Sequence, residues 1–443
     1  MFSDRNAHAK TDAHETALAC LEAGIRAARP DAVLERAVTL EGDHLQVGDR
    51  EYDLADYECV VVLGGGKAAG GVARALEDIL EIDDGVVVTT DGADCNRVDV
   101  LEGDHPTPSE RNVEGTRRVL ECASESDEET LLLAVVTGGA SALWCAPADG
   151  LTLADLRETT TALLESGASI NEVNAVRKHC SAIKGGHLAR VASPATVATL
   201  AISDVVGDDP SVIGSGPTVP DPSTFDDALA VLERYDLRSR VPETVVDRLE
   251  AGTAGDVAET PVEDDPAFDR SDWHPLANGR TAIDAAREVA RERGYETAVL
   301  SSQIRGEARE AGRFHTAVAE EVLEVGDPIS PPAAVLSGGE VTVTVRGDGA
   351  GGPNQELALA AALEFAEEGT DAVLASVDTD GIDGPTDACG AIVDGETLDE
   401  VGEARRALED NDAYGALERE GALLETGYTG TNVNDLRMVV LEA

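Results

Sequence analysis

Lysine is nearly missing from this 443-residue chain. Only Lys10, Lys67, Lys178 and Lys184 occur, so arginine supplies the other 30 of the 34 basic residues. The seven cysteines (20, 59, 95, 122, 145, 180 and 389) form no C-x-x-C pair, which argues against a disulfide framework and cysteine-held metal clusters. No apolar run approaches the roughly 20 residues of a bilayer span, and residues 1–15 hold no signal-peptide core, so a cytoplasmic protein is expected. Repeats of fixed period and low-complexity tracts are also missing.

Acid is abundant: 87 Asp and Glu give a net charge of −53. That charge exceeds what solubility requires and is hostile to nucleic acid and anionic membrane. It suits a halophilic protein, because near 1 M salt the Debye length shrinks to about 3 Å. Against this background Lys67 and Lys184 abut glycine runs, and Lys178 lies shortly before the second run. A lysine kept where arginine has replaced nearly all others suggests a compact ammonium that meets a phosphate or carboxylate as a point charge.

The stretch Cys59–Leu80 compresses a buried strand, a glycine loop, Lys67 and an alanine-rich helix into one unit. Val60–Leu63 is continuously apolar, as in a strand covered on both faces. Gly64–Gly66 let an anion approach the backbone where helix N–H groups favour it. Gly64, Gly66 and Ala69 also match the dinucleotide fingerprint, with Asp91 placed as a ribose-binding acid, so a dehydrogenase is one reading. The P-loop pattern does not fit.

Further along, the pattern predicts a helix over 12–29 ended by Pro30, and a β-like segment over 38–52. Strands are expected at 85–90, 131–136 and 196–202, with helices from Ser109 and over 152–166. Residues 251–272, rich in Asp, Glu, Gly and Pro, read as a linker or long surface loop. The second half predicts a helix over 281–293, strands at 297–301, 372–377 and 436–441, a strand that runs into a glycine turn over 335–340 with another strand at 341–346, and an alanine-rich helix to Phe365. Strands that run into glycine loops place a site at the carboxyl ends of a parallel α/β sheet.

Chemistry narrows the reading. Lys67, Arg177, Lys178 and Lys184 offer cationic donors, and Gly138, Gly139, Ser141, Gly338 and Gly339 offer close backbone approach. Asp204, Asp208, Asp378, Asp380, Asp383 and Asp387 offer hard oxygens of the type magnesium takes. Phosphoryl transfer uses both sets; hydride transfer needs no carboxylate cluster.

The motifs GGGKA (64–68), HPTP (105–108), TGGAS (137–141), NxVRKH with SxIKGG (174–186) and SDVVGDDPSVIGSGPT (203–218) recur in order with SGGE (337–340), NQELAL (354–359) and TDGIDGPTDACGA (379–391). Together they resemble the glycerate 2-kinase family with a C-terminal MOFRL domain, some of whose members carry the label hydroxypyruvate reductase. The likeness covers nearly the whole chain. It implies ATP- and Mg2+-dependent phosphorylation of D-glycerate at the 2-hydroxyl, with NAD(P)H-dependent hydroxypyruvate reduction as the alternative. It also implies a Rossmann-like α/β/α domain over 1–250, an acidic loop over 251–272, and an α/β region over 273–443 holding the smaller MOFRL domain at about 333–440. The active site is expected in the cleft between the two domains of a monomer or homodimer.

By the same resemblance Lys67 and Asp204 correspond to the family's active-site lysine and aspartate. Gly65, Gly66, Ser141, Arg177, Asn354, Gln355 and Glu356 are expected on substrate. Gly138, Gly139, Lys184, Gly185, Gly214, Ser215, Gly216, Gly338, Gly339 and Glu340 are expected on nucleotide, and Asp204, Asp380 and Asp383 on magnesium. One residue departs from the pattern: Pro353 stands where the family has an arginine before NQE, so Arg346 or Arg177 is expected to supply that cation.

Overall fold

Runs of valine, leucine and alanine that end in glycine become the central strands of two sheets. The computed structural model describes residues 1–90 and 92–442. It divides into two units, Val33–Leu276 and Met1–Ala32 with the chain from Ala277 onward.

In the first unit β1 (Val38–Glu41), β2 (His44–Val47) and β3 (Arg50–Asp53) form an antiparallel meander. The main sheet holds β4 (Cys59–Gly65), β5 (Asp84–Thr89), β6 (Asp99–Glu102), β7 (Thr130–Thr137), β8 (Thr196–Ile202) and β9 (Ser271–Ala277). Their order is β6-β5-β4-β7-β8-β9, and the pairs from β6 to β8 are parallel. Every residue of β7 and β8 is buried, as continuous apolar runs require when helices cover both faces. Chain order reverses between β4 and β7, and in open α/β sheets ligands bind at that point beyond the strand ends.

The second unit carries β10 (Glu296–Ile304), β11 (Ala333–Gly339), β12 (Val373–Asp378), β13 (Gly390–Val393), β14 (Leu423–Leu424) and β15 (Asp435–Leu441), ordered β10-β11-β15-β12-β13-β14. Only β10 and β11 pair in parallel; β15 runs antiparallel to both its neighbours. The Pro353–Glu368 helix is buried from Asn354 to Leu363, because its alanines let β12, β13 and the Ala308–Val325 helix approach closely.

The structure alters or refines four expectations. The Asp12–Ala27 helix packs within the second unit: its Leu18, Leu21 and Ile25 are fully buried, and Gly24 leaves room for Leu436 and for the Ala282 carbonyl. Pro30 starts a helix, Pro30–Ala37, at the one helical position where its missing N–H costs nothing. Residues 251–272 follow the surface-loop alternative and not the linker, except that the Glu243–Thr253 helix ends inside them and β9 begins at Ser271. Thr260 and Ala267 are buried, Asp221 N donates to Pro261 O, and Val197 N donates to Arg270 O, which ties the loop into the first unit. Residues 341–346 form no strand despite their alternation, because β11 already has partners on both sides; Val345 stands 74% exposed.

Candidate active site

The loops after β4 and β7 are stitched together by hydrogen bonds their sequences supply. Lys67 N donates to Gly138 O (2.7 Å), and Ala68 N donates to Thr137 Oγ1 (3.2 Å). A Cβ on Gly65 would lie 2.5 Å from the Trp144 ring, and one on Gly66, at φ +131°, would strike Thr137 Oγ1. Packing alone therefore requires both glycines. A Cβ on Gly138 would lie 2.5 Å from Asp204 Oδ2; one on Gly139 would lie 3.2 Å from Lys67 Cγ and 3.1 Å from His105 Cδ2. Lys67, Asp204 and His105 thus crowd one two-glycine turn at the switch point of the sheet, with Lys67 and Asp204 half-buried.

Several expected ligand groups in this unit are engaged internally. Ser141 Oγ and Ser215 Oγ share a hydrogen bond of 2.8 Å, and Ser215 Oγ donates to Asn174 Oδ1 at 3.0 Å. Gly185 N donates to Ser215 O and Gly186 N to Gly216 O, so the 184–186 and 214–216 turns form one block. Lys184 Nζ donates to Ser141 O (2.8 Å) and Trp144 O (2.7 Å), and burial pulls its pKa down to about 8. It holds the loop after β7 in place. Lys178 forms a buried ion pair with Asp221 at 3.1 Å, which removes it from the cationic donors expected on ligand. His179 lies against Phe225 and bonds Ala175 O. Arg177 instead lines a cavity of about 340 Å³ together with Gly139, Ser141, Lys184, Thr159 and the 105–108 loop.

In the second unit the carboxyl ends of β11 and β12 share an edge with the start of β15, since Gly339 and Asp378 both pair with Asp435. Gly338 leaves room there for the Asp435 carbonyl, Gly339 (φ +119°) for Ile304, and Glu340 N donates to Ile304 O at 3.0 Å. Asp383 accepts from Asn354 N (3.0 Å), Asn354 Nδ2 (3.2 Å) and Gln355 N (2.9 Å), capping the Pro353–Glu368 helix. Burial pushes its pKa up to about 7 against those bonds. Asn354 Nδ2 also donates to Asp435 Oδ1, Gln355 Nε2 to Thr386 Oγ1, and Glu356 pairs with Arg309 at 2.8 Å. Asp380 Oδ1 accepts from Ile382 N at 2.8 Å. These residues brace the loop after β12. Among the described residues no three His, Cys, Asp or Glu side chains form a metal-holding group. Asp91, the ribose acid of the dehydrogenase reading, lies outside the described residues.

Residues 16–250 match the family described as Domain of unknown function (DUF4147), and residues 333–435 match the MOFRL family. A glycerate 2-kinase of Pyrococcus horikoshii is 40% identical over 437 residues, 97% of this chain and 98% of that protein. The chain belongs to the glycerate 2-kinase family. The D-glycerate 2-kinase of Thermotoga maritima is 43% identical over 85% of this chain and 89% of its own. A crystal structure of glycerate kinase from that organism, 38% identical, superposes with a TM-score of 0.83 over 96% of this chain and 99% of its own. A relative from Agrobacterium vitis, 40% identical over 86% of this chain and 87% of its own, carries a hydroxypyruvate reductase label.

Within this glycerate 2-kinase family member, the sequence reading did not single out Trp144, which packs on Gly65, or the cavity-lining Thr159, and took Thr137 only as the start of the TGGAS motif. Thr137 opens the TGGAS motif, and its hydroxyl was the available signal. Trp144 and Thr159 had none beyond lying near that motif and in the following helix.

Proposed function

We propose that this chain transfers the γ-phosphoryl group of ATP to the 2-hydroxyl of D-glycerate, giving 2-phosphoglycerate and ADP. The observation that carries this is the convergence of Lys67 and Asp204 on the Gly138–Gly139 turn at the switch point of the β4–β7 sheet. A cation and a carboxylate held side by side on a glycine turn suit in-line phosphoryl transfer, in which charge on the moving group is neutralised while the attacking hydroxyl is oriented. A bond forms between the C2 oxygen and the γ-phosphorus while the bond to the β–γ bridging oxygen breaks, and the hydroxyl proton leaves to Asp204. Lys67 neutralises charge on the moving group or on the glycerate carboxylate.

Magnesium carried by the nucleotide phosphates would supply further charge neutralisation. Asp204 fits such an ion, which takes few protein ligands beside phosphate oxygens. Asp383 does not, because its oxygens are taken by the start of the Pro353–Glu368 helix.

The reductase reading rests on the glycine fingerprint and the Agrobacterium vitis label. Its force falls because packing accounts for both fingerprint glycines: a Cβ on Gly64 would lie 2.5 Å from Val87 Cγ1, and one on Gly66 would strike Thr137. The charge of −53 supports an enzyme that works in molar salt. No helix among the described residues is long and apolar enough to cross a membrane. The same reading takes the enzyme as a cytoplasmic monomer or homodimer.

The test is a product assay in molar KCl with D-glycerate, ATP and magnesium, resolving 2- from 3-phosphoglycerate by phosphorus NMR. Accumulation of 2-phosphoglycerate with equal ADP is expected. No phosphoglycerate, with NADH consumed on hydroxypyruvate, overturns the reading.

A further inference from the structure

The cavity beside Gly139 has three features that the chemistry at Lys67 and Asp204 leaves unused. The first is charge. Asp and Glu make up 87 of 443 residues, about one in five, yet among the described residues none lines this cavity, whereas Arg157, Arg177 and Lys184 do. Arg157 Nε is held by Pro108 O and Lys184 by two carbonyls. Arg177 has no hydrogen bond or ion pair among the described residues, although burial disfavours its charge. A half-buried guanidinium that faces a cavity without a counter-charge is a place for an anion.

The second feature is Thr159, 2% exposed, whose Oγ1 has no partner among the described residues. Buried hydroxyls are nearly always satisfied, so this unpaired one, covered while the cavity is empty, is the lining group left to pair with the polar edge of a ligand. The third is size and texture. Leu156, Leu164, Ala142 and Pro106 give the lining an apolar character, and about 340 Å³ falls within the range of about 300–1,000 Å³ typical of small-molecule pockets. A three-carbon acid would fill little of it, whereas a heterocycle with its sugar would fill it well.

We propose that this cavity takes the adenosine part of the nucleotide, with the phosphates drawn toward Arg177 and Gly139. Arg177 then serves the nucleotide and not the glycerate, and Thr159 reads the base. The inference rests on the kinase reading for the choice of nucleotide as ligand.

The experiment is calorimetric titration of ADP, and separately of D-glycerate, into the full chain at one fixed KCl concentration. Wild type, Arg177→Met and Thr159→Val are compared, with circular dichroism as the folding control. ADP should weaken on the order of ten- to a hundredfold in Arg177→Met, the worth of one hydrogen bond to a charged group. It should weaken severalfold in Thr159→Val, while glycerate binding holds. Unchanged ADP affinity in both variants overturns the proposal, as does a loss confined to glycerate. If Arg177→Met fails to fold, the isosteric Thr159→Val decides alone. Wild type that binds ADP through Arg177 but makes no phosphoglycerate upholds the cavity and sinks the kinase reading instead.

Discussion

Replacing Lys178 by methionine should destabilise the first unit while sparing the site. The Lys178 ammonium lies 3.1 Å from Asp221 Oδ1, with side-chain exposures of 4% and 0%. Asp221 also accepts from Ser223 N (3.0 Å) and Ser223 Oγ (2.8 Å), all on the same oxygen; Oδ2 has no partner among the described residues. Removing the ammonium strands a buried carboxylate on neutral donors, a loss of about 3–5 kcal/mol. That is a large share of the roughly 5–15 kcal/mol that holds a typical protein folded. The double variant Lys178→Met with Asp221→Asn removes both charges and keeps the Ser223 bonds, so it should recover most of the loss. Both tryptophans, Trp144 and Trp273, lie in this unit, so their fluorescence follows its unfolding alone. With a urea slope near 3 kcal/mol/M, the midpoint should fall by about 1–2 M in the single variant. A midpoint that holds while ADP or glycerate binding collapses would refute the structural role and return Lys178 to the site.

Lys67→Arg should fold normally yet lose on the order of a hundredfold or more in kcat, since a guanidinium cannot replace a compact ammonium beside Gly139; near-normal turnover removes that argument. Gly66→Ala combines a backbone at φ +131° with a collision at Thr137, costing about 2–6 kcal/mol by the same fluorescence midpoint. Gly42→Ala, with φ +65° and open space around it, should cost only about 1–2 kcal/mol; equal losses would show that the collision is relieved. Burial, helped by Arg437, holds the His315 imidazole down to about 4. The unfolded chain binds that proton near 6.5, so stability is complete above pH 6.5 and is lost as pH falls to 4, by about 3 kcal/mol. His315→Gln should flatten that slope in thermal midpoints followed by circular dichroism, and an unchanged slope rejects the assignment. Pro353→Arg should leave the KM for glycerate little changed if another cation already serves; a fall by orders of magnitude would show that none does.

In the first unit β4, β5, β7 and β8 were legible because they are buried apolar runs, whereas β6 and β9, short or polar, were not. The expected strand at 196–202 coincides with β8, and the expected helix over 152–166 differs from Leu153–Glu165 only by its caps. Pairing partners were not legible. The Val341–Arg346 alternation has the right period for a strand, but period says nothing about whether a sheet edge is free, and β11 has none to offer. The Asp12–Ala27 stripe showed a buried face, yet which of two sheets would cover it depends on contacts across some 260 residues of chain, with Ala282 and beyond.

Lysine scarcity is a sound composition signal with more than one physical cause. Its premise holds: of the four lysines, Lys178 and Lys184 are buried, Lys67 is half-buried, and only Lys10 is exposed. What scarcity selected, however, was enclosure and not catalysis. Lys184 meets two carbonyls at 2.8 and 2.7 Å, and Lys178 meets one carboxylate, each buried away from solvent. Where arginine covers the surface, lysine survives wherever a small tetrahedral donor is walled in. A structural tether and a phosphate-binding group satisfy that condition equally. Lys67 is set apart by its neighbours, because it shares the Gly138–Gly139 turn with a carboxylate, Asp204, at the switch point of the sheet.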